Sequence, residues 1–179
     1  AGLHLTPELV ARLDRATVTL HVGLDTFRPV VADVLEEHEV HGERYSVSPG
    51  AWARIESAER VLAVGTTTVR VLETVARSGE LAGRTSLFVV PGFEFRRVDC
   101  LVTNFHLPRT SLLALVMAFA GVEQTRELYR LAIADRYRGH GREIGSDPEI
   151  WCATASMSVE YLRPTPIVAE VELRGTVVE

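Results

Sequence analysis

The chain has 179 residues, 46% of them apolar, and a formal net charge of −5. This length fits one domain or one and a fraction, with enough apolar material for a sizeable core. The acid excess argues against a broadly basic nucleic-acid surface and leaves room only for a local basic patch. A membrane span needs ~18 apolar residues, whereas the longest apolar run, 112–121, has ten.

The N-terminal string AGLHLTPELV has neither a basic leader nor an apolar one, so no signal peptide is expected, and without Met, Ala1 is not expected to be the natural start. Thr6-Pro7-Glu8 reads as the cap and first turn of a short helix. TVTLHVGL (17–24) alternates, which predicts a half-buried strand with His21 and Gly23 toward its polar side. Residues 29–50 are polar and broken by Pro29, Pro49 and Gly50, and they read as a loop or short-helical insertion. A brief helix is expected over 52–60, followed by VLAVG (61–65), an apolar strand covered on both faces. Val69, Leu72 and Ala76 then mark a helix ending at Ser78-Gly79.

Residues 87–90 and 98–103 read as two strands around a Pro91-Gly92 turn. Thr110-Ser111 caps the apolar helix after them, and a further helix runs over 123–137. The expected class is therefore α/β, strands alternating with helices, followed by a short all-β C-terminal appendage. Charge marks a change of texture at the same place. Up to Arg138 there are sixteen Arg against seventeen acids; beyond it, three against seven. Two units are expected, 1–138 and 139–179.

Two polar strings follow apolar runs, where ligands of open α/β sheets bind. In Gly65-Thr66-Thr67-Thr68 the helix N-terminus suits a carboxylate or phosphate, with Arg70 able to pair with the anion; on the local sequence alone the simpler reading is that the threonines cap the helix. Asn104 and His106 can read a base or sugar edge by hydrogen bonding, or satisfy the loop and pack. His38, His41 and Glu43 have a spacing compatible with one side of a helical turn, but no metal signature supports them. A polar contact or acid–base role fits better. Cys100 and Cys152 have no ligand spacing, so no metal site and a reducing, cytoplasmic setting are expected.

The strings AGLHLTPELV, HVGLDTFRPV (21–30), HEVHGERYSV (38–47), AVGTTTVRVLE (63–73), PGFEFRRVDCLVTNFHLPRTSLLALVMAFAG (91–121) and ADRYR (134–138) occur in one order. Together they resemble the C-terminal part of the S-adenosylmethionine:tRNA ribosyltransferase-isomerases of queuosine biosynthesis. The resemblance implies transfer of the ribosyl portion of S-adenosylmethionine to a 7-aminomethyl-7-deazaguanine base in tRNA. Epoxyqueuosine forms, and adenine and methionine leave. It implies no resident cofactor, S-adenosylmethionine being consumed. The implied partners are tRNA carrying that queuine-precursor base and a separate N-terminal half, with no membrane.

On this resemblance His21, His41 and Glu43 are the proton-transfer candidates. Gly23, Thr26, Phe27, His38, Thr66, Thr67, Arg70, Asn104 and His106 form the substrate-binding set. The pattern departs from the family at Leu5 (Phe expected), at Asp25 (Gly common) and after Arg138, where an aromatic closing strand is expected. Instead, residues 141–179, above all TASMSVEYLRPTPI, resemble later strands of hotdog-fold acyl-CoA thioesterases. That likeness implies a fusion or junction, with an acyl-CoA thioesterase-like module as an alternative function.

Overall fold

A computed structural model of the chain describes residues 5–23, 42–134 and three short strand segments, 138–139, 142–143 and 156–160. The opening helix α1 (Pro7–Ala11) starts as its sequence predicts, with the Thr6 hydroxyl accepting from the Leu9 N–H at 3.3 Å. Strand β1 (Val18–His21) alternates between half-buried and exposed positions, and His21 falls on the exposed side.

The first departure from the expected order is β2 (Glu43–Val47), a strand where the sequence reads as a polar insertion. Its residues alternate strictly, with Glu43, Tyr45 and Val47 buried and Arg44 and Ser46 exposed. The high polarity of EEHEVHGERY hides that period-two signal. Helix α2 (Pro49–Ser57) follows, capped by Ser48. Strand β3 (Leu62–Val64) is buried at Ala63, but Leu62 is 51% exposed, so this strand is not covered on both faces.

Helix α3 (Thr66–Ser78) is the central element, and it ends at Gly79 in the left-handed conformation. Val69 and Leu72 pack into a core with Ala63, Leu101, Leu115 and Phe119. Val71 and Val75 pack on the opposite side against Tyr45 and Val47. The helix therefore joins two cores. Full burial of each such side chain contributes on the order of 1.5–3 kcal/mol.

Residues 87–90 do not form the expected strand. The strand lies earlier, at β4 (Ala82–Thr85), and the Leu87 carbonyl accepts a hydrogen bond from Arg70 Nε at 3.1 Å. Val89 is buried all the same. Strand β5 (Cys100–Asn104), helix α4 (Ser111–Ala120) and helix α5 (Val122–Ala134) complete the α/β order. Thr110 caps α4 through its hydroxyl, as the sequence predicts.

The strands form an antiparallel sheet ordered β1-β2-β4 and a second sheet in which β3 and β5 run parallel. The tail contributes β6 (Arg138–Gly139), β7 (Arg142–Glu143) and β8 (Ser156–Glu160), the last antiparallel to β5. The remainder of the thioesterase-like string lies outside the described residues.

Candidate functional site

The antiparallel sheet brings distant segments together at one edge. A cleft of about 360 Å³ is lined by His21, Gly23, Gly42, Glu43, Arg44 and Arg84. Three residues anticipated from the sequence, His21, Gly23 and Glu43, therefore meet there. His41 adjoins Gly42, but His41, His38, Thr26 and Phe27 lie outside the described residues.

Glu43 occupies the buried side of β2. Its Oε1 accepts from the Gly23 N–H at 2.7 Å, and its Oε2 accepts from Arg70 Nη1. Both members of this ion pair are buried, with side-chain exposures of 7% for Arg70 and 5% for Glu43. Two charges in so dry a place persist only if they are paired and further hydrogen-bonded. Arg70 Nε answers the Leu87 carbonyl, while Nη2 is buried with no hydrogen-bond partner among the described residues. The guanidinium thus faces Glu43, where the sequence suggests an anion beside the helix start.

At the start of α3 the cap is Gly65, with φ +94° and no side-chain cap hydrogen bond. This corrects the reading of the threonines as caps: the Thr68 hydroxyl donates to the Val64 carbonyl at 2.7 Å, and Thr66 is buried. The positive φ requires glycine, and it lets the Gly65 N–H reach the Val102 carbonyl at 2.8 Å. That bond places the start of α3 beside β5, at whose C-terminal end stand Asn104 and His106. Thr66, Thr67, Asn104 and His106 thus share the strand-end side of the parallel pair.

His106 is held tightly there. Its Nε2 lies 2.8 Å from the Thr103 hydroxyl, and its backbone N–H donates to the Tyr129 hydroxyl at 2.6 Å. Burial lowers the imidazole pKa to about 4, so the ring is neutral at pH 7. Burial also raises Tyr129 to about 12. A neutral imidazole can donate or accept a hydrogen bond, but it does not serve as a cationic acid near neutrality.

Two residues of the cleft, Arg44 and Arg84, and one buried carboxylate away from it, Glu73, are not anticipated. Arg44 and Arg84 line the cleft, and Arg84 donates to the Gly42 carbonyl. Glu73 is fully buried and accepts from the N–H groups of Arg96, Arg97 and Val98 at 2.9 to 3.0 Å. It also accepts from Arg77, which stacks over Phe93 at 4.2 Å. Glu73 thereby fixes the PGFEFRRV loop onto α3. The outward phase of ERYSV exposes Arg44; nothing local in the sequence flags Glu73.

The family model described as "Queuosine biosynthesis protein" matches residues 1–141. The chain belongs to the queuosine biosynthesis protein family. It is 53% identical over 143 residues to the S-adenosylmethionine:tRNA ribosyltransferase-isomerase of Solibacter usitatus, covering 77% of this chain and 41% of that protein. It is 51% identical over 150 residues to the Thermotoga maritima protein of the same name, covering 77% and 45%. The crystal structure of the S-adenosylmethionine tRNA ribosyltransferase of Thermotoga maritima superposes with a TM-score of 0.62 at 46% identity, over 76% of this chain and 47% of that one. The chain thus spans less than half the length of these queuosine-family relatives.

Proposed function

We propose that this chain forms the C-terminal part of an S-adenosylmethionine:tRNA ribosyltransferase-isomerase. The observation that carries this reading is the 53% identity over 143 residues to a protein of that name. The substrates are S-adenosylmethionine and a tRNA bearing 7-aminomethyl-7-deazaguanine, and the product nucleoside is epoxyqueuosine. S-adenosylmethionine is consumed, no resident cofactor is required, and the setting is the cytoplasm. The portion of the relatives that this chain does not span supplies the rest of the site.

In this reading a base removes a proton from the carbon beside the sulfonium, whose positive charge stabilises the resulting carbanion. The carbanion expels the ribose ring oxygen, which collapses to an aldehyde as adenine leaves with a proton. The amine of the modified base adds to the resulting alkene beside the sulfonium and loses a proton, and the regenerated carbanion bonds to the aldehyde carbon. The alkoxide so formed closes the epoxide as the carbon–sulfur bond breaks with its electron pair going to sulfur, which releases methionine. His21, exposed at the cleft, and His41, one residue from its Gly42 wall, take the proton transfers. Glu43 has both oxygens engaged, so it positions the His21–Gly23 strand end. Thr66 and Thr67, at the dipole-positive start of α3, meet an anionic group such as the methionine carboxylate. Gly23, Thr26, Phe27 and His38 line the substrate; Asn104 and neutral His106 contact the base or ribose.

The test is adenine release from S-adenosylmethionine with the modified tRNA. It is run on this chain alone and on this chain joined to the N-terminal half of the Thermotoga maritima relative. Release from the joined form supports the reading. The coverage of 41% to 47% of the relatives favours one alternative for the chain alone: S-adenosylmethionine or tRNA binds without adenine release.

A further inference from the structure

The outer face of the β1-β2-β4 sheet carries two arginines, Arg44 and Arg84, that the catalytic reading does not use. Strand register places His21 beside Arg44, and Arg44 beside Arg84, in one row across the three strands. The next row on the same face is Thr19, Ser46 and Ala82. All six residues are exposed. The opposite face, with Tyr45 and Val47, is sealed against α3.

Neighbouring strands are 4.7–4.9 Å apart, so the two guanidiniums and the imidazole start within roughly 10 Å of one another. Arg84 donates to the Gly42 carbonyl, which fixes its direction without neutralising its charge. Exposed arginines elsewhere pair with acids: Arg54 of α2 with Asp14, and Arg126 and Arg130 of α5 with Glu123 and Glu127. The two rows described here contain no carboxylate. In a chain of net charge −5, they concentrate positive charge beside the cleft.

We infer that this face binds the phosphate backbone of the RNA substrate, with Arg44 and Arg84 as the principal phosphate contacts and the Thr19 and Ser46 hydroxyls as neutral donors. The inference rests on the tRNA reading above and assigns it a surface. Arginine and hydroxyl side chains are the usual donors to backbone phosphate, and such contacts position a nucleic acid without reading its sequence. The cationic row itself lines the cleft, so RNA held by its arginines would present a base toward His21 and Gly23.

The test is fluorescence anisotropy of a labelled RNA hairpin of anticodon stem-loop size, titrated with the full chain across a salt series. Arg44→Gln with Arg84→Gln is expected to lower the slope of log affinity against log salt by roughly 2. Arg44→Gln alone, which breaks no hydrogen bond described here, is expected to lower it by roughly 1. The control, Arg126→Gln with Arg130→Gln, changes net charge equally and is expected to leave the slope unchanged.

An unchanged slope in the double variant overturns the inference, as does absence of RNA binding by the wild-type chain. Displacement of RNA by polyglutamate at equal charge concentration overturns it in favour of an acidic protein partner. Failure of the ribosyltransferase reading shows separately, as absent adenine release in the joined form whatever the RNA affinity.

Discussion

Arg70 Nη1 donates to Glu43 Oε2 between two side chains that are both more than nine-tenths buried. This pair joins α3 to the antiparallel sheet at the wall of the cleft, and the other Glu43 oxygen holds the Gly23 N–H. Arg70→Met leaves a buried carboxylate without its counter-charge, and the expected loss of stability is about 3–5 kcal/mol. Adding Glu43→Leu removes that charge and is expected to recover most of the loss. Urea denaturation of the single and double variants measures both.

Glu73 is a second buried carboxylate with a different task. Its three backbone donors, on Arg96, Arg97 and Val98, come from a loop rather than from a helix or sheet ladder. Glu73→Gln keeps the shape but loses the charge assistance, at an expected cost of about 1.5–3 kcal/mol. Hydrogen exchange is expected to speed up at those three amides before it does in α3 as a whole. Equal protection in variant and wild type would show that the loop is held by its phenylalanines and by the Arg97 and Arg77 hydrogen bonds rather than by the Glu73 charge.

How much of this was readable in the sequence depended on whether local chemistry decided the structure. The Thr6 and Thr110 caps, the Gly79 stop and the exposed His21 all follow from propensity and alternation within a few residues. Strand β2 was missed because its period-two signal spans only five residues inside a polar stretch. The segment 87–90 is apolar and buried at Val89, yet Arg70 engages the Leu87 carbonyl. No local pattern encodes that choice. At the cleft, Glu43 was identifiable by residue type, but its partner lies twenty-seven positions away on α3.

His106 gives a pH signature. Its pKa is about 4 when folded, against 6.5 for an unperturbed imidazole. Below pH 6.5 the unfolded chain takes up a proton that the folded chain refuses. Stability is therefore complete above that pH, falls as pH drops toward 4, and stops changing on this account below 4. The expected loss is about 3 kcal/mol, at 1.36 kcal/mol per pKa unit. Replacing His106 by Gln should flatten the curve between pH 6.5 and 4.5. Denaturation midpoints across that range decide it, and a curve unchanged by the substitution would assign the effect to carboxylates.

Gly65 begins α3 at φ +94°, a conformation that a side chain enters only with strain. Gly65→Ala is expected to cost about 1–3 kcal/mol. It should also loosen the Gly65 N–H bond to the Val102 carbonyl, which sets α3 beside β5. Thermal unfolding with amide exchange at residue 65 measures both effects.

The most direct measurement is the nucleoside composition of tRNA carrying 7-aminomethyl-7-deazaguanine after incubation with S-adenosylmethionine and a chimera. In that chimera, residues 1–141 of this chain replace the matching segment of the Thermotoga maritima relative. The account predicts epoxyqueuosine by mass spectrometry, with its rate of formation reduced about a hundredfold or more by His21→Ala. A folded chimera that leaves the base unchanged would contradict the central claim.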